Sequence, residues 1–114
     1  MNRSVFFTLA LAAATLAHTA ETPPLEIRIK DGEDGKKIFV PDRVTVKAGE
    51  RFRVLVINET ANSEEFESSS MVVEKFLGPR RRATITLGPL KPGEYEFFGE
   101  LNLPPPKGIL TAVK

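Results

Sequence analysis

The stretch "FVPDRVTVKAGERFRVLVIN", residues 39–58, decides the fold. Val44, Val46 and Ala48 alternate with polar neighbours, the period-two pattern of a strand with one apolar face. Ala48-Gly49-Glu50 then breaks the run as a turn. In the following "RFRVLVIN" (51–58), Phe52, Val54 and Val56 fall on one face and Leu55 and Ile57 on the other. Apolar residues on both faces predict a central strand covered on both sides.

The same alternation extends in both directions. Upstream, Leu25, Ile27 and Ile29 interleave with Glu26, Arg28 and Lys30, and "DGEDGKK" (31–37) reads as a turn before a strand from Ile38 to Val40. Downstream, the polar residues 58–65 read as a loop, "MVVEKFL" (71–77) as a strand, and Gly78-Pro79 as a break. Ala83, Ile85 and Leu87 alternate again, Pro92-Gly93 makes a tight turn before the aromatic "YEFF" strand, and Gly108 to Val113 closes the chain. No stretch has a helical period with caps. The expectation is all-β: about seven to eight short strands in an antiparallel or mixed sandwich.

The first twenty residues stand apart. Arg3 is a short positive region, and Val5 to Ala17 is an apolar run too short to span a bilayer. Residues 1–20 are expected to be a secretory signal peptide, cut after Ala17 or Ala20, leaving a single domain at 21–114 in the periplasm. A buried N-terminal helix and an uncleaved membrane anchor are the alternatives. The exported chain, about 94 residues, is near the lower size for one core. With no cysteine in the sequence it has neither a disulfide nor a thiolate ligand. Removal of Arg3 with the leader balances basic and acidic residues, which argues against nucleic-acid binding. The Arg80-Arg81-Arg82 run is the one basic cluster, either a solvated strand start or a docking point for an acidic partner.

Three pieces occur in order: "FVPDRVTVKAGERFRVLVINET" (39–60), "EEFES" followed by "MVVEK" (64–75), and "LKPGEYEFFGE" followed by "KGILTAV" (90–113). They resemble cupredoxin-like domains, and Glu65-Phe66-Glu67 with Met71-Val72-Val73-Glu74 is similar to a stretch of the EfeO-type subgroup linked to bacterial iron uptake. The resemblance implies a Greek-key β-sandwich. It also marks departures. Electron-transfer cupredoxins carry a His after the loop that follows the Asn58 strand, and the matching positions here are Glu64 or Glu65. Their copper-binding Cys falls on Gly99, the loop His and Met fall among Asn102 to Pro106, and a Cys of EfeO-type domains falls on Phe39. A type 1 copper centre needs Cys and two His, and His18, in or beside the leader, is the one histidine, so this chain cannot build one.

What remains for chemistry is carboxylate. Glu64, Glu65, Glu67, Met71, Glu74, Glu100 and Asn102 lie in the segments that would surround a cupredoxin site. If 65–67 is extended, Glu65 and Glu67 share a face. With Met71, Glu74 and Glu100 they form the candidate metal set, an oxygen-rich site suited to Fe(II) or Fe(III), with Cu(II) as the other candidate; the Met71 thioether would favour copper. The bland readings are a solvated Glu-x-Glu strand and a core methionine. No nucleophile has a visible base partner, so enzymatic turnover is not expected beyond assistance to Fe(II) oxidation by hard oxygen ligands. Two functions follow. One is a periplasmic metal-binding accessory protein serving a membrane iron permease or oxidase component, touching the membrane only through that partner. The alternative is a metal-free interaction module that docks through Leu101, Leu103, the prolines 104–106 and Arg80–Arg82.

Overall fold

Alternating apolar residues close into two facing sheets in this computed structural model, which describes residues 22–114. The expected leader, with Arg3 and His18, lies outside the described residues. Among the described residues there are nine strands and no helix: β1 (Leu25–Asp31), β2 (Lys37–Val40), β3 (Arg43–Lys47), β4 (Phe52–Asn58), β5 (Glu64–Ser68), β6 (Val73–Leu77), β7 (Arg82–Leu87), β8 (Gly93–Phe98) and β9 (Lys107–Val113). One sheet runs β2-β1-β4-β7 and the other β3-β9-β8-β5-β6. β1 with β4 and β3 with β9 are parallel pairs, and the others are antiparallel, so the sandwich is mixed. The chain switches sheets between β2 and β3, where Pro41 has no amide to continue a ladder.

The ninth strand is β5. Its composition, Glu-Glu-Phe-Glu-Ser, reads as the end of a polar loop, but Phe66 is fully buried and anchors the segment to the core. β6 starts two residues later than the sequence suggests. Residues 69–72 form a turn, with Val72 at φ 56° and largely exposed, so the strand begins at Val73. β4 lies between β1 and β7 with Val54 and Val56 fully buried and Leu55 half-buried, as a central strand should.

The core fills the space between the sheets with Ile27, Ile29, Val54, Val56, Phe66, Phe97 and Leu110, all inaccessible to solvent. Phe66 and Phe97 stack at 5.2 Å, and Phe39 meets Phe97 edge-on at 5.1 Å, a three-ring contact that joins both sheets. Aromatic pairs of this kind add about 0.5–1.5 kcal/mol each beyond their buried area. Gly108 makes that arrangement possible. It pairs with Phe97 across β8 and β9, and a Cβ there would lie 2.2 Å from the ring.

Candidate metal centre

Strand alternation sorts the residues of β5 onto two sides. Phe66 points into the core, so Glu64 and Ser68 share its side and Glu65 and Glu67 face outward from the five-stranded sheet. β5 pairs with β6 along its whole length, which sets Glu74 opposite Glu67 and Phe76 opposite Glu65. Its pairing with β8 is confined to Glu67 and Phe98. Past Phe98 the chain leaves the sheet at Gly99, whose amide donates to the Pro106 carbonyl at 3.2 Å and closes the base of the 99–106 loop. The Glu100 amide then donates to Glu65 Oε1 at 2.9 Å.

That contact completes a cluster. One carboxylate oxygen each from Glu65, Glu67 and Glu100 lies within 4.8 Å of the others. Glu65 is buried, Glu67 half-buried and Glu100 exposed, so the group runs from the sheet surface out to solvent. Glu67 Oε1 is buried and has no hydrogen-bond partner. Burial pushes the Glu67 carboxyl up to about 7, helped by a hydrogen bond with Glu65 and by the charges of Glu65, Glu100 and Glu74. Below about pH 7 and without an added cation, a proton on Glu67 relieves the crowding of these charges.

The other candidate residues separate from this cluster. Glu74 is exposed beside Glu67 and adds negative charge to it. Met71 packs into the hydrophobic core from the 69–72 turn, its amide donating to Ser68 Oγ. Glu64 points inward and is 1 % exposed. It accepts from Asn102 Nδ2 at 2.6 Å and from Thr60 Oγ1 at 3.3 Å. This pairing was not anticipated from the sequence. Its signal is the alternation itself: extended from Phe66, it sends Glu64 inward, where a buried carboxylate requires donors. Arg80 is also partly structural, since its guanidinium bonds the Glu59 carbonyl. Residues 102–104 bend.

Three carboxylates make a hard donor set for oxygen-seeking cations. A type 1 copper site does not fit. The sequence has no cysteine, and at Gly99 an added Cβ would stand 2.8 Å from the Glu65 carbonyl oxygen, so even a cysteine placed there would need the backbone to shift.

Comparison with known proteins agrees with the architecture. The chain is 36% identical over 86 residues to the uncharacterized protein RP394 of Rickettsia prowazekii (strain Madrid E), a match spanning 75% of this chain and 65% of that protein. Among solved structures, dithionite-reduced auracyanin from Roseiflexus castenholzii superposes with a TM-score of 0.65 at 19% identity, over 83% of this chain and all of the other. The metal-binding domain of the Streptococcus pneumoniae D39 Cu(I)-exporting P-type ATPase CopA, solved with Cu(I), superposes with a TM-score of 0.65 at 18% identity, over 84% of this chain and 92% of that one. At these identities the superpositions speak for fold alone. The family described as "Cupredoxin-like domain" matches residues 3–112, and the chain belongs to it.

Proposed function

We propose that this is an exported metal-binding accessory protein that holds a hard cation with Glu65, Glu67 and Glu100, with Glu74 adding charge beside them. Iron is the first candidate and Cu(II) the second, since carboxylates favour the former class and thiolates are missing. The setting is the periplasm, and the partner is a membrane iron permease or oxidase component. Hard oxygen ligands bind Fe(III) more strongly than Fe(II), so an ion held here is easier to oxidise. One observation carries the proposal: a carboxylate oxygen each from Glu65, Glu67 and Glu100 lies within 4.8 Å of the others, and Glu67 has a buried oxygen without a partner. A cation would satisfy that oxygen and offset the like charges together.

The test is equilibrium binding to metal-stripped protein, with anaerobic Fe(II), Mn(II), Zn(II) and Cu(II) supplied separately. One ion per chain is expected, with affinity lowered by more than about tenfold in Glu65→Gln and in Glu100→Gln. If no ion binds, the reading fails. The interaction-module alternative then gains ground, because Leu103 is 94% exposed and Leu101 48%, an apolar tip with no cover among the described residues.

A further inference from the structure

We infer that Asn102 and Glu64 are positioning residues for the acidic cluster: they clamp the 99–106 loop from the inner side of β5, so that Glu100 stands over Glu65 and Glu67. Glu64 and Glu65 are consecutive and project to opposite sides of the strand, yet both carboxylates hold the same loop. Glu64 Oε1 takes the Asn102 side-chain amide at 2.6 Å, and Glu65 Oε1 takes the Glu100 backbone amide at 2.9 Å. The loop therefore straddles β5.

This clamp has a task that the sheet does not perform. The β5–β8 ladder ends at Glu67 and Phe98, and the next bond, Gly99 to Pro106, stays within the loop. The approach of Glu100 to the cluster thus depends on the two side-chain bonds. The inner one is braced from behind. Thr60 Oγ1 contacts Glu64 Oε2 and bonds Asn58 Oδ1 at 2.8 Å. Asn58 Nδ2 in turn reaches the carbonyls of Asn62, Leu77 and Gly78. The frame ties the ends of β4 and β6 to the loop through one buried carboxylate. Glu64 serves as an acceptor here, and an acceptor need not be charged. Glutamine at 64 would offer Asn102 the same carbonyl oxygen and could donate to Thr60 Oγ1. Leucine at 102 would leave Glu64 Oε1 buried without a donor, and aspartate there would set two carboxylates face to face.

The metal readout of this inference rests on the function proposed above; its backbone readout does not. Amide exchange at Glu100 and Mn(II) affinity are measured on Asn102→Leu, Asn102→Asp and Glu64→Gln. Both Asn102 variants should exchange Glu100 more than about tenfold faster and bind Mn(II) on the order of ten- to a hundredfold more weakly, while Glu64→Gln, which keeps an acceptor for Asn102, leaves the exchange unaltered. Unaltered exchange at Glu100 in both Asn102 variants overturns the clamp. So does a Glu64→Gln that loses Mn(II) as fully as Glu65→Gln with exchange intact, because Glu64 would then be a ligand. Should the unmodified protein not bind Mn(II), Fe(II) or Cu(II), the function proposal fails while the exchange data still decide the clamp.

Discussion

Replacing Glu67 by glutamine removes one charge from a cluster whose three oxygens lie within 4.8 Å, and changes the side chain's size very little. The two states of the protein should respond in opposite directions. Without metal, the Glu67 carboxyl titrates at about 7 in place of the usual 4.5, because burial, the Glu65 hydrogen bond and the surrounding carboxylates favour its neutral form. A raised folded-state pKa means that the native protein holds the proton more tightly than the unfolded chain. The resulting stability is fully present below 4.5 and is lost as pH rises through about 7. Glutamine mimics the protonated form at every pH. The metal-free variant should therefore match the parent in acid and melt higher than it at about pH 8. With metal the order reverses. An ion at about a hundredfold over its dissociation constant stabilises by about 2.7 kcal/mol. At about 4–8 °C per kcal/mol for a domain of this size, that is a rise of roughly 10–20 °C, most of which Glu67→Gln should forfeit. The assay is circular-dichroism melting of chelator-stripped protein across this pH range, with and without Mn(II) or anaerobic Fe(II). A parent-minus-variant difference that is flat with pH, together with an undiminished metal shift, would refute the reasoning.

Three further outcomes follow from the packing. Gly108→Ala should destabilise the fold by about 1–3 kcal/mol or more in urea titration, since its Cβ would meet the Phe97 ring at 2.2 Å and the Asp42 carbonyl at 2.9 Å; an unchanged midpoint would mean that β9 can move aside freely. Asn58→Ala should cost about 1–3 kcal/mol for each buried group it leaves unpartnered, because Asn58 is fully buried and serves three carbonyls together with the Thr60 amide and hydroxyl; the same titration checks it. Gly99→Cys should not gain the intense visible charge-transfer band of a type 1 centre when Cu(II) is added, because the new side chain meets the Glu65 carbonyl at 2.8 Å and the described residues supply no histidine.

Some of the site was legible before any coordinates. Glu65 and Glu67 share a face as soon as 65–67 is extended, and the structure extends it. That Glu74 stands opposite Glu67 is a matter of the β5–β6 ladder, which no local pattern gives. Met71 and Glu64 were harder to place. Met71 lies in a turn with no alternation to place it, and Glu64 follows Phe66 inward only once the core has taken that ring. A thioether fits among apolar side chains, and Met71 went there. A carboxylate enters only where donors await it, and Asn102, distant in sequence, supplied one for Glu64.

The sequence by itself determined the class of fold and one exclusion. Period-two alternation is a local property, so β1, β4 and β7 are readable from a few residues each, and a chain without cysteine cannot form a copper–thiolate bond in any conformation. Tertiary structure decided the rest. Only the pairing of β5 with β6 and β8 made a strand of a polar pentapeptide, because a backbone ladder and one buried ring outweigh what composition suggests. Only the end of the β5–β8 ladder at Phe98 let the next loop fold back and bring Glu100 to Glu65. Contacts between residues so far apart in the chain are set by how two sheets close on a shared core, and no local window of sequence records that closure.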